Sequence, residues 1–205
     1  MNPTDVYKTL KKPSPEILYK EKNSKFFGYA FPVTTENEIK KQLRHLKKQH
    51  HAARHFCYAY QIGTEEPNMI YRVNDDGEPN NSAGMPIYGQ IQSFQVTNVL
   101  VVVIRYFGGV KLGVGGLISA YKTSAQMALE QAEIVSRTIN FNIELAFDYP
   151  LLNTVMRIVK EENLSIVSQE MQLTCKLVLT VRKKDLQKLK NRFSAIYGVA
   201  AKVTS

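Results

Sequence analysis

Three groups of residues have the types and spacing to do chemistry. The first is Arg105–Gly116, RYFGGVKLGVGG, which holds five of the chain's eleven glycines (Gly108, Gly109, Gly113, Gly115 and Gly116) beside Arg105, Tyr106 and Lys111. A glycine-rich turn ahead of a helix offers unhindered backbone N–H groups and the positive end of the helix dipole, so these eight residues form a candidate anion- or nucleic-acid-binding site. The second group is residues 74–89, NDDGEPNNSAGMPIYG, where Asp75, Asp76 and Glu78 crowd around Gly77. Asp-Gly pairs are ordinary turn chemistry. Three carboxylates could equally ligate magnesium or act as general acid and base, provided other groups join them in the fold. The third group is the four histidines, His45, His50, His51 and His55, with Cys57 close behind. His51 and His55 are spaced i, i+4, but structural zinc wants four closed ligands and no second cysteine or acidic ligand lies nearby, so no metal is assigned. Histidines where a helix ends are also favoured by its dipole. No Ser/His/Asp or Cys/His arrangement declares itself and Cys57 reads as a buried strand residue, so no catalytic residue is assigned.

The elements that must position these groups are legible from periodicity. Val99–Ile104 is six apolar residues, five of them β-branched, which predicts a strand buried on both faces. Leu117, Tyr121, Ser124 and Ala128 recur at helical spacing beyond the glycines. Residues 17–33 read as two strands about a turn at Lys22-Asn23-Ser24, and Phe56–Ile62 pairs with Met69–Val73. Thr35 and Glu38 make a capping box for a helix that turns Ile39, Leu43 and Leu46 inward and Lys40, Lys41, Arg44, Lys47 and Lys48 outward. That basic face is either a solvated surface or a polyanion contact. Residues 74–89 read as an irregular loop, and Gln90–Gln95 has no clear pattern.

After Glu133 the pattern restarts. A strand over Ile139–Phe147, a helix opened by Pro150, a hairpin of Ser165–Ser168 with Leu173–Val181, a helix over Asp185–Ile196 and a strand over Val199–Val203 spell βαββαβ, the ferredoxin-like pattern. The fold class expected is α+β, with two domains, 1–137 and 138–205. Two unrelated cysteines, the absence of an N-terminal signal-type apolar region and the lack of any bilayer-length apolar run point to a cytoplasmic protein with no membrane partner. The formal net charge of +9 favours polyanionic partners, though moderate basicity also serves solubility.

The motifs HHAARHFCYAY at 50–60, DDGEP…AG at 75–84 and VIRYFGGVKLGVGGLISAY at 103–121 resemble the YigZ/IMPACT family over essentially the whole chain. The match covers Arg54, His55 and Cys57, the Asp75–Pro79 run, and Arg105, Tyr106, the loop glycines and Tyr121. Where the family has Gly-Thr before the Ala-Gly pair, this chain has Asn81-Ser82; Ser82 keeps a hydroxyl, but the flexible residue is gone. The resemblance implies an N-terminal βαβ domain of the type shared by a small-subunit ribosomal protein, elongation factor G and the GHMP kinases. It implies a C-terminal domain like the terminal ferredoxin-like domain of elongation factor G, and, from eukaryotic relatives, a role in translation regulation.

The function expected is therefore a non-enzymatic, translation-associated protein that binds RNA or the ribosome, with no cofactor. Arg105 and Lys111 supply charge and the glycine N–H groups receive phosphate. A second loop, Arg54, His55, Asp75, Asp76, Glu78 and Ser82, lies beside them, making a mixed-charge site in which some charges pair with one another. The alternative is a small-molecule or nucleotide binder, or an enzyme, using the glycine loop with the DDGE carboxylates. A third reading is that the glycines serve close packing alone.

Overall fold

A computed structural model describes residues 5–65 and 67–204. The described residues form two compact units, one over Tyr7–Arg137 and the other over 138–204 with Asp5 and Val6.

In the larger unit, β1 (Val6–Leu10) pairs with β7 (Ile134–Thr138), a strand that the sequence pattern did not announce. The main sheet has the order β2-β3-β6-β4-β5, from β2 (Ile17–Glu21), β3 (Ser24–Pro32), β4 (His55–Ile62), β5 (Ile70–Asn74) and β6 (Val99–Tyr106). Every neighbouring pair is antiparallel. The β2–β3 turn is made by Lys22 and Asn23, both at positive φ. Between β3 and β4 runs α1 (Glu36–Gln49), started by the expected capping box of Thr35 and Glu38.

The apolar run in β6 is explained by this topology. Val99, Val101 and Val103 point into one core with residues of α2 (Gly84–Ser93) and α3 (Gly113–Glu130). Leu100, Val102 and Ile104 point into a second core with Ile39 and Leu46 of α1. A central strand with helices on both faces has no wet side, so its alternation disappears.

Helix α2 departs from the local pattern, by which 74–89 is an irregular loop and 90–95 has no clear period. Gly84, Pro86 and Gly89 depress its intrinsic propensity. Burial of Ile87, Tyr88 and Ile91 against the sheet overrides that penalty.

The smaller unit orders its strands β11-β8-β10-β9, from β8 (Asn140–Asp148), β9 (Ser165–Glu170), β10 (Thr174–Arg182) and β11 (Ala200–Thr204), with α4 (Leu152–Glu161) and α5 (Lys183–Ser194). This is the expected ferredoxin-like arrangement. Ile143, Leu145, Phe147, Leu177 and Leu179 pack with Val155, Leu189 and Phe193 on the helical side. By alternation the other side of the sheet carries Asn142, Glu144, Lys176, Val178 and Thr180, with no aromatic ring among them. Asp5 belongs here: its carbonyl accepts from Ile139 N–H at 2.8 Å and its carboxylate pairs with Arg182 at 2.9 Å. Among the described residues no helix is long and apolar enough to cross a membrane.

Candidate functional site

The end of β6 sends Arg105 and Tyr106 to opposite faces of the sheet. Arg105 turns toward α3 and is only 6% exposed. Its Nη1 donates to Glu78 Oε1 at 2.8 Å, and Tyr121 Oη donates to the same oxygen at 2.8 Å. Its guanidinium lies 5.6 Å from the Phe26 ring centre and 5.5 Å from that of Phe107, with Ser24 Oγ at 3.5 Å from Nη2. The pair thus ties the loop after β5 and the first half of α3 to the end of β6. Arg105 Nε and Ser124 Oγ stay buried without a hydrogen-bond partner.

Cys57 sits beside this cluster, its thiol 3.0 Å from the Asp75 carbonyl. Burial pushes the Cys57 thiol and the Tyr121 phenol well above their ordinary ranges, and the neighbouring carboxylates push the same way. Both groups are thereby held in their protonated forms, the less nucleophilic state for a thiol.

The carboxylates of the acidic loop are also engaged. Asp75 Oδ1 accepts from the N–H groups of Ala83 and Gly84 at 2.9 and 2.8 Å, and Oδ2 accepts from Asn81 N–H at 2.9 Å. Because Ala83 offers no capping side chain, Asp75 caps α2 from eight residues upstream. Asp76 Oδ2 accepts from Phe56 N–H at 2.7 Å, and its carbonyl meets His55 Nδ1 at 3.0 Å. Ser82 is fully buried and donates to the Pro79 carbonyl at 2.6 Å. Asn81 has φ of 60°, the left-handed region that asparagine tolerates better than most residues, so the departure from glycine is absorbed there. Arg54 is exposed and apart from this network. Among the described residues no three His, Cys, Asp or Glu side chains are grouped so as to hold a metal ion.

The glycine loop splits into two roles. A Cβ at Gly108 would lie 2.1 Å from the Asn23 carbonyl carbon, and the Gly108 N–H already donates to Ser24 Oγ at 3.1 Å. Gly108 therefore serves packing. Gly109 and Gly113 have φ of 85° and 71° with open space around them, and Gly115 is also open. A Cβ at Gly116 would lie 3.2 Å from the Leu112 side chain. No side chain caps α3, so its first N–H groups and exposed Lys111 are what the loop can offer an anion.

Two features of the sequence reading change. Arg105 does not face solvent, and it meets Glu78 in the interior rather than across a mixed-charge surface. Tyr106 is half-buried toward α1, its hydroxyl 3.1 Å from His50 Nδ1, while His50 Nε2 lies 2.5 Å from the hydroxyl of Tyr29, which in turn bonds Glu16. Tyr106 is thus tied by its hydroxyl to the α1 side of the sheet.

A groove not singled out from sequence lies between α1 and the β4–β5 hairpin, with a volume of about 510 Å³. Lys40, Arg44 and Lys47 line one side, Phe56 and Tyr58 the other, and Asn74 and Asp76 the β5 end. The Lys47 ammonium stands 5.5 Å over the Phe56 ring. Tyr58 stacks on Tyr60 with centres 6.4 Å apart and planes 7° from parallel. Both signals are visible in the sequence, cations at i, i+4, i+7 and rings at i, i+2, i+4, but nothing local says that they meet.

A model of the Impact N-terminal domain matches residues 22–129, just over half of the chain. IMPACT family member YvyE of Bacillus subtilis is 37% identical over 155 residues, 76% of this chain and 70% of that protein. IMPACT family member YigZ of Escherichia coli is 30% identical over 161 residues, covering 70% of this chain and 79% of that one. A solved structure described only as a hypothetical protein superimposes with a TM-score of 0.73 over 98% of both chains. Its 23% identity speaks for the fold alone.

Proposed function

The chain belongs to the IMPACT family, and from that premise we propose that it is a non-enzymatic, translation-associated protein that binds RNA or the ribosome through the α1 face. One observation carries this reading: the cations on the basic face of α1 make no ion pair among the described residues, although Lys41 is near enough to Glu38 to favour its ionised form. Lys40, Lys41, Arg44, Lys47 and Lys48 are all exposed, and among the described residues none has a carboxylate within ion-pair distance. A second run of cations, from Arg182 at the end of β10 to Arg192 in α5, differs. Arg182 pairs with Asp5, Lys188 with Glu162, and Arg192 with Glu161 and Glu162. Those cations spend much of their field inside the molecule, whereas the α1 cations are available to phosphates.

The enzyme alternative is weakened by the same geometry. Asp75, Asp76 and Glu78 each hold a backbone or side-chain partner, so metal binding or proton transfer would compete with a structural task that each already performs. The sheet of the smaller unit lacks the stacking rings by which related sheets hold RNA.

The test is a titration of total RNA with the whole protein at several salt concentrations. Affinity should fall steeply as salt rises, because each phosphate contact releases counterions. Weak binding that does not respond to salt overturns the proposal.

A further inference from the structure

We infer that the groove between α1 and the β4–β5 hairpin takes an unstacked base of single-stranded RNA, with the backbone running along the α1 rim. This rests on the RNA-binding reading and names the kind of RNA. A site for bare phosphate would be polar throughout, but this one has cations on one side only. Its other wall is Phe56 and Tyr58, and its volume of about 510 Å³ suits a small planar group rather than a helix or a duplex edge.

The two walls suit the two halves of a nucleotide. Lys40, Arg44 and Lys47 extend over about 10 Å of helix, at ~1.5 Å per residue, and attract the phosphates. Tyr58 is half-buried and already stacked on Tyr60, so a base laid on Tyr58 continues an existing stack. Lys47 stands over Phe56, keeping a cation at the junction of the two walls. The polar end sets direction. The Asp76 carboxylate repels phosphate, so the backbone is kept on the α1 side while a base edge faces Asn74 and Asp76. Asn74 Oδ1 is held by the Asp76 N–H at 2.7 Å, which leaves its amide nitrogen as the donor to that edge. Duplex RNA cannot use such a groove, because its bases are stacked and paired away from the protein.

The experiment compares a labelled 12-nucleotide single strand, a duplex of equal length and a polyglutamate peptide for binding to the full chain. A second strand carries 2-aminopurine, whose fluorescence changes when the base stacks on a ring. The expected result is at least tenfold preference for the single strand, with a 2-aminopurine signal on binding. Tyr58→Leu should lower single-strand affinity about tenfold while leaving the salt slope unchanged, since stacking carries no counterion release. Equal affinity for strand and duplex, or no 2-aminopurine response in the unmodified protein, overturns the inference while leaving the RNA reading intact. The 2-aminopurine arm holds even if Tyr58→Leu fails to fold. Polyglutamate competing as well as RNA assigns the groove to an acidic protein and overturns it too. Absence of all RNA binding removes both readings together.

Discussion

Replacing Glu78 with Gln would leave the Arg105 guanidinium in the interior without a counter-charge, with Ser24 at 3.5 Å and two aromatic rings as its other neighbours. Both side chains of the pair are nearly sealed from water, at 7% and 5% exposure, so solvent offers little compensation. Breaking a buried ion pair from one side costs about 3–5 kcal/mol. Glu78→Gln should lose that much in urea unfolding, and a loss below ~1 kcal/mol would mean that water reaches the guanidinium. His50 gives a residue-level expectation with pH. Burial lowers its pKa, opposed only by Glu16, and the other groups facing it are the neutral hydroxyls of Tyr29 and Tyr106. In the unfolded chain the imidazole titrates near ~6.5. The unfolded state therefore binds the proton first, and stability is present above that pH and lost as pH falls below it. Thermal scans between pH 7 and 5.5 should show a falling Tm, with a flatter profile in His50→Gln. An identical profile in the variant would remove His50 from the account.

At the scale of elements, α2 is the piece that depends most on a distant residue. Its glycines and proline give it little reason to form alone, and one carboxylate, Asp75, collects three N–H groups at its entry. Asp75→Ala orphans those donors and removes the negative charge at the helix N-terminus. A loss of roughly 2–3 kcal/mol is expected, with faster amide exchange at Ile87–Ile91, and Asp75→Asn should fall between the two because an acceptor oxygen remains. If exchange in α2 is unchanged in Asp75→Ala, the helix is held by packing alone. The motif residues around positions 75–84 and 105–108 thus have a structural account: they lock the loop after β5, β6 and α3 to one another.

For the molecule as a whole, the excess of positive charge matters less than where it is left uncompensated. Neutralising Lys40, Arg44 and Lys47 to Gln should lower the slope of log affinity for single-stranded RNA against log salt by about 2, at ~0.7 per phosphate contact. The corresponding change at the paired cations of α5, Lys188→Gln with Arg192→Gln, should leave the slope within error. Equal losses from both would mean that RNA reads net charge and not the α1 face.

Local pattern carried much of this protein. The six-residue apolar run located β6, the capping box located α1, and the βαββαβ rhythm located the ferredoxin-like unit, because each depends on residues adjacent in sequence or one helical turn apart. The motifs at 50–60, 75–84 and 103–121 were likewise enough to indicate the family. What tertiary structure decided was the direction of each charged side chain. Arg105 and Glu78 are 27 positions apart and Tyr121 is 43 from Glu78, and only the register of β6 beside β4 and the docking of α3 bring them together. Burial then turns apparent phosphate and metal ligands into an internal lock. The same packing sets the cations of α1 against the rings of β4, since the helix period and the strand period are each local but the line along which they meet is not.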